Sequence, residues 1–254
     1  MRTNLKRLDR VGETNISTEG YPLEIIGHNG DSDITVLIDN KYVREGVSYC
    51  VFKSGGIKNY FHRSVHGLGY VGETPFEYLT PSRLKMLRKA DGVWRSMIER
   101  LVNDKDYVDC AACLAWECRA EFLPFHFEWY YTLPGEKVVL DKDIRIKGNK
   151  LYSPNTCLYV PERINKLIRR RSFKASELAR GVWNTRNGKY IASIEWNGNT
   201  SLGVYNTEAE AFQVFQKAFS EKLKAVVDTY AGKIPEKTYS ILKPSMYAYE
   251  VDPY

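Results

Sequence analysis

The chain of 254 residues has no apolar run that approaches the length of a membrane span, so no membrane partner is expected. The segment Met1-Arg2-Thr3-Asn4-Leu5-Lys6-Arg7 is basic and carries no apolar stretch, so no secretory signal is expected. Cysteine is sparse: five residues, an odd number for a chain this long. That argues against a disulfide scaffold and for a reducing, cytoplasmic setting. Histidine is scarcer still, with four residues. His28, His62 and His66 fall in the N-terminal part and read as surface or packing groups.

What is present is ordinary apolar content, 43%, enough for real cores, and a formal net charge of +6. A polyanionic partner accounts for that excess, and so does a plain basic surface. Tyrosine is abundant, and several Tyr and Trp residues lie near Lys or Arg. Such pairs suit stacking on bases, although most aromatics serve cores and interfaces.

The pattern predicts an α+β, multidomain chain. Residues 1–75 read as a small β-rich module. Leu23 to Ile26 is a short apolar run, and Ile34, Val36 and Ile38 alternate as in a half-buried strand. Asp39-Asn40-Lys41 makes a turn, Tyr49 to Phe52 a further strand, and Gly55-Gly56 a break. Residues 76–170 begin with helices. Thr80 and Pro81 suit a helix start. Leu84, Leu87, Val93, Trp94, Met97, Ile98 and Leu101 follow at mixed helical spacings. On the same stretch Arg83, Lys85, Arg88, Lys89 and Arg95 give a basic surface, either a solvated face or one that tracks phosphates. A second helical stretch, Ala111 to Tyr131, carries Leu114, Trp116, Phe122, Phe125 and Trp129, a stripe that reads as core. Short strands are expected at Val138 to Leu140 and near Lys150-Leu151-Tyr152, with a helix opening at Pro161-Glu162-Arg163. Cys110-x-x-Cys113 with Cys118 and His126 could supply four zinc ligands, but the loose spacing of Cys118 and His126 makes structural zinc unlikely beside the reading as buried thiols.

A basic linker, residues 171–178, leads to the last unit, 179–230. A strand from Gly181-Val182-Trp183, an Asn187-Gly188 hairpin, a strand Tyr190 to Trp196, an Asn197-Gly198 turn and a strand Ser201 to Tyr205 make a three-stranded antiparallel sheet. Thr207-Glu208-Ala209-Glu210 fits a capping box ahead of a long amphipathic helix with Ala211, Phe215, Phe219, Leu223 and Val226 on its apolar stripe. Residues 231–254 form a tail that the pattern does not assign.

Arg180-Gly181-Val182, Gly188-Lys189-Tyr190, Ala192, Ile194, Leu202-Gly203, Tyr205 and Glu208 to Ala211 make residues 179–225 resemble the ethylene-response-factor (ERF) DNA-binding domain. That likeness implies that the exposed sheet face enters the major groove, which admits strands. It implies Arg180 and Lys189 as basic contacts and Tyr190 as an aromatic one. Trp183, Thr185 and Glu195 stand where plant members carry Arg, so sequence preference does not carry over. The remaining nucleic-acid-binding candidates are Arg169, Arg170 and Arg171 in and beside the linker, with Trp183 and Arg186 on the hairpin.

Residues 90–170 resemble phage HNH homing endonucleases. The likeness runs through Trp94-Arg95-Ser96-Met97, Glu99-Arg100, Cys110, Cys113, Trp116, Phe122, Phe125 and Trp129. It continues in Leu140-Asp141-Lys142-Asp143, Gly148-Asn149-Lys150, Tyr152 to Cys157 and Arg163-Ile164-Asn165. Residues 1–75 resemble, more loosely, the β-rich module found ahead of such nucleases. The resemblance implies a ββα-metal core that hydrolyses phosphodiesters with one divalent cation such as Mg²⁺. Asp141 would be the metal carboxylate and Asn165 the helix ligand. Asn155 is the nearest candidate for the loop-orienting Asn, with Thr156 more directly in the column. Lys142 occupies the position of the base His. An unperturbed lysine titrates near pH ~10.4, so Lys142 is a poor base between two aspartates. His126 from the preceding helix or a metal-bound water are alternatives, as is a spent site.

The expected function is duplex-DNA binding by an HNH-type protein in a phage-infected cell, either as a metal-dependent endonuclease or as an inactive, regulatory derivative. An RNA or ribonucleoprotein binder is the third reading.

Overall fold

The computed structural model describes residues 9–168, 178–195 and 198–253. Two compact units divide after Pro75.

The first unit is an antiparallel meander of β1 (Thr14–Ile16), β2 (Pro22–His28), β3 (Ile34–Ile38) and β4 (Tyr42–Val47), in that spatial order. The alternation in β3 does what its period demands, because Ile34, Val36 and Ile38 are buried beside Leu23 and Ile25 of β2. Asp39 and Asn40 both take positive φ, and the Lys41 N–H closes the turn on the Ile38 carbonyl, as in a type I′ hairpin. The strand expected at Tyr49 to Phe52 is instead α1 (Tyr49–Lys53). Its β-prone composition is overridden by packing. Tyr49 and Phe52, three apart, turn together toward the sheet core, a spacing that only a helix gives. Gly55 at φ +69° then ends the turn against the Ile16 backbone.

The second unit opens with α2 (Leu84–Asn103). The anticipated Thr80 cap is not made. The helix begins at Leu84, after a turn over 80–83, with no side-chain cap. Leu87, Ala90, Trp94, Met97 and Ile98 form its buried face. The short β5 (Ala111–Ala112) is followed by α3 (Leu114–Glu117) and α4 (Arg119–Trp129), two helices broken at Cys118 where one stretch was expected. Trp116, Phe122 and Phe125 are buried core as anticipated, whereas Leu114 points to solvent. The Trp94 indole N–H donates to the Trp116 carbonyl at 2.8 Å and locks α2 to α3.

Next come β6 (Val138–Asp141), β7 (Leu151–Tyr152) and β8 (Leu158–Pro161), then α5 (Glu162–Ile168). The strand near Leu151 does not pair with β6. It runs parallel to β5, and the antiparallel partner of β6 is β8, an unbroken buried stretch that strict alternation does not reveal. In the C-terminal part, β9 (Val182–Asn184), β10 (Tyr190–Glu195) and β11 (Asn199–Tyr205) form a sheet in the order β11-β10-β9. One face is covered by α6 (Glu208–Asp228). The capping box is present: Glu210 N–H donates to Thr207 Oγ1, and Thr207 N–H donates to Glu210 Oε2, each at 3.2 Å. The tail folds as α7 (Glu236–Tyr247), with Leu242 and Met246 buried.

In this second unit one apolar core joins the β6–β8 hairpin and α5 to the C-terminal elements, apart from a separate cluster of Tyr78, Leu87, Ala90 and Leu123. Ile144, Leu158, Val160 and Ile164 pack in the same cluster as Val182, Ala192, Phe215, Phe219, Leu242 and Val251. No described helix is long and apolar enough to cross a membrane.

Candidate functional site

β6, β8 and α5 make a two-stranded hairpin followed at once by a helix. Asp141 ends β6, opposite Leu158. Side chains alternate across a strand, so Asp141, Leu158 and Val160 lie on one face and Leu140 and Tyr159 on the other. The first face packs with Ile164 of α5. Asn165 follows Ile164, half-buried, on the helix that packs against β6 and β8. The structure thus places the two implied metal residues on adjoining elements.

The Asp141 carboxylate is partly engaged already. Its Oδ1 accepts the backbone N–H groups of Asp143 and Ile144, each at 2.7 Å, which caps the turn leaving β6. Burial pushes its pKa up to about 6, against the opposing pull of those two donors. A half-buried carboxyl that carries a proton so readily gains by meeting a cation. One carboxylate and one amide oxygen, completed by waters and phosphate oxygens, is donor chemistry that Mg²⁺ accepts. Among the described residues, no group of three or more His, Cys, Asp and Glu gathers as a metal site.

Lys142 sits on the loop after Asp141, buried. Its Nζ donates to both oxygens of Asp143 at 2.7 and 2.8 Å and to the Asn149 carbonyl at 3.1 Å. Burial pulls its pKa down, but the Asp143 hydrogen bond and charge outweigh that, and the net shift is upward. The group at the implied base position is therefore a fixed ammonium.

The loop is tied by a residue that sequence reasoning did not single out. Asn149 donates from Nδ2 to the Lys142 carbonyl at 2.9 Å and to the Leu151 carbonyl at 2.7 Å. Asn155 is exposed, and its carbonyl accepts from Arg145. Thr156 Oγ1 donates to the Leu151 carbonyl at 2.6 Å. The signal for Asn149 was its place after Gly148, which takes positive φ, at the return of the loop toward Lys142.

His126 is fully buried, and its Nδ1 lies 2.6 Å from the Tyr159 hydroxyl. Tyr159 is on the hairpin face away from Asp141, so the structure does not bring His126 to the carboxylate. Burial, with Lys89 nearby, pushes the imidazole down to about 4. Among the described residues its Nε2 has no hydrogen-bond partner. All five cysteines are free; Cys110 and Cys113 are half-buried and Cys118 is buried.

On the C-terminal sheet, α6 covers the face bearing Val182, Ala192 and Ile194. The opposite face is open. Trp183, Ile191 and Val204 are direct cross-strand partners and form a row across all three strands, with Trp183 53% and Val204 56% exposed. The Trp183 indole N–H donates to Ser193 Oγ at 2.8 Å, which lays the ring along the sheet. Arg186 and Lys189 are exposed on the β9–β10 hairpin. Two other candidates lie elsewhere. Tyr190 packs with the α6-side core. Arg180 donates from Nη2 to the Leu167 carbonyl at 2.9 Å, and its guanidinium lies 4.8 Å from the centre of the Phe219 ring. Arg169, Arg170, Arg171 and all but the last residue of the 171–178 linker lie outside the described residues.

No family model, curated protein or solved structure gives a match to this chain.

Proposed function

We propose that this chain binds double-stranded DNA, and that the binding surface includes the open face of the β9–β11 sheet. The observation that carries the reading is the row Trp183–Ile191–Val204, left bare on a sheet whose other face is fully packed. Apolar side chains on such a ribbon suit thymine methyl groups in the major groove, and Arg186 and Lys189 at its tip suit flanking phosphates. The ββα unit in the same core resembles an HNH unit in the order of its elements, but among the described residues neither candidate base stands ready. Lys142 is held as a cation and His126 faces away.

A second reading, metal-dependent hydrolysis of the DNA backbone, is favoured by Asp141 and Asn165 on adjoining elements. Bound Mg²⁺ would supply Lewis acidity and an acidified water. Asp141 would hold it, while Lys142 and Asn149 fix the loop. A nicking assay on supercoiled DNA with magnesium and then manganese separates the two readings. Nicking that Asp141→Ala abolishes establishes the hydrolase. Tight duplex binding without nicking, repeated on DNA selected by the protein, leaves a binding protein. RNA that displaces duplex DNA from the protein would overturn both.

A further inference from the structure

The solvent face of α2 is unlike the rest of that helix. Lys85, Arg88, Lys89, Gly92 and Arg95 follow at helical spacings of three and four, and all are exposed. The opposite face is the buried stripe Leu87, Ala90, Trp94, Met97 and Ile98, so the helix cannot turn its cations inward. The ten residue steps from Lys85 to Arg95 span about 15 Å. Arg95 is paired with Asp91 at 2.8 Å. Among the described residues no carboxylate is within ion-pair distance of Lys85, Arg88 or Lys89. Like charges three and four apart on a helix repel, so the stripe weakens the free protein slightly.

Gly92 is the second observation. It lies in the middle of the stripe, in the interior of a 20-residue helix, and a Cβ added there would meet nothing within 4 Å. Glycine is the poorest helix former after proline, and neither packing nor backbone conformation in this protein asks for it. A glycine flanked by such cations leaves the helix backbone open to close approach by an outside surface.

We infer that the α2 stripe is a phosphate-tracking surface, in which Lys85, Arg88 and Lys89 neutralise backbone phosphates of duplex DNA that passes closely over Gly92. This deepens the duplex-DNA reading above and rests on it. The stripe supplies affinity without sequence preference, and the open sheet face supplies base contacts.

The test uses the full chain and a fluorescein-labelled random-sequence DNA duplex, in EDTA, with binding measured over a range of salt. Replacing Lys85, Arg88 and Lys89 by Gln should make the slope of log K against log salt shallower by about 3, because each phosphate no longer neutralised removes about 0.9 from it. A control replaces Lys53, Lys217 and Lys233, exposed lysines on other segments, and removes the same charge. An unchanged slope in the stripe variant, or an equal change in the control, overturns the inference and leaves duplex binding intact. A wild-type chain that ignores the duplex overturns the underlying reading as well. Gly92→Glu guards against misfolding as an explanation. It should raise Tm by about 2 °C through better helix propensity, yet weaken duplex binding about tenfold. Higher Tm with undiminished binding would overturn the close approach.

Discussion

Gly181 stands at φ +76°, and a Cβ there would run into the Phe215 ring of α6. The backbone conformation and the close packing each demand glycine, so Gly181→Ala should destabilise the second unit by about 3 kcal/mol, read from urea unfolding. A loss below about 1 kcal/mol would mean that the helix moves aside freely. Arg180, the preceding residue, is a structural cation. Arg180→Ala should lower Tm, whereas Lys189→Ala on the exposed hairpin should leave Tm alone. Two titratable groups shifted by burial act in opposite senses. His126 is held neutral, with its folded pKa near 4 against an ordinary 6.5. The unfolded chain therefore binds more protons between those values. Stability from this group is complete above pH 6.5 and is lost as pH falls toward 4, by about 3 kcal/mol in all. Asp141 is raised to about 6 from 3.8, so the folded state binds the extra proton and stability falls as pH rises through that window. The two slopes oppose each other. Unfolding measured from pH 4 to 7 should show stability rising more steeply with pH in Asp141→Asn than in the wild type. In His126→Phe the rise should shrink or reverse. Parallel curves for all three proteins would show that neither side chain titrates in this way.

At the scale of elements, the C-terminal sheet has one packed face and one bare face. Val182, Ala192 and Ile194 face α6, while Trp183, Ile191 and Val204 face out. Trp183→Ala loses one side-chain hydrogen bond, to Ser193, and no buried core. It should cost about 1 kcal/mol of stability while weakening duplex affinity about tenfold, measured by thermal unfolding and anisotropy on the same sample. A drop in Tm with unchanged affinity would make the row a packing feature. This sheet and α6 were the most legible part of the chain, because Asn187-Gly188, the capping box and the apolar stripe are all local signals. Face assignment was legible too, in principle. Trp183 and Tyr190 fall on opposite faces once the strand period is applied across the hairpin register, which is why only one of the two is outward. The ββα hairpin was harder. β8 is buried on both faces and reads as a plain apolar run, and β7 pairs with the distant β5, a partnership set by tertiary packing. α1 was misread for the converse reason: four β-prone residues are bent into one helical turn to seat Phe52. At the site, Asp141, Lys142 and Asn165 were given roles through the resemblance, whereas Asn149, quoted within it, takes its role only from the bonds that its amide makes.

At the scale of the molecule, the sequence suggests a boundary near 178, between the ββα segment and the C-terminal sheet. The structure binds those segments together more strongly than a string of modules requires. Leu158, Val160 and Ile164 share a core with Phe215, Phe219 and Leu242. Polar ties cross the same junction. The Tyr230 hydroxyl donates to Glu136 at 2.8 Å, and Lys147 Nζ donates to Asp252 at 2.8 Å. The Tyr249 hydroxyl donates to the Ile168 carbonyl at 3.1 Å. The tail that carries Tyr249 and Asp252 is thus a strap from the C-terminal helices back to the ββα unit. The two compact units of the chain divide after Pro75. Residues 76–254 alone should therefore unfold in one cooperative transition, whereas residues 179–254 alone should be largely unfolded, lacking the partner surface for α6 and α7. Denaturant unfolding and proton NMR dispersion of the two fragments decide the matter. A well-dispersed 179–254 fragment would make the C-terminal segment a domain in its own right, with the shared core an interface. An unfolded 179–254 beside a folded 76–254 would mean that the bare sheet face and the Asp141 loop are held in one frame, so that DNA bound on the sheet as proposed would reach the ββα unit at a fixed offset.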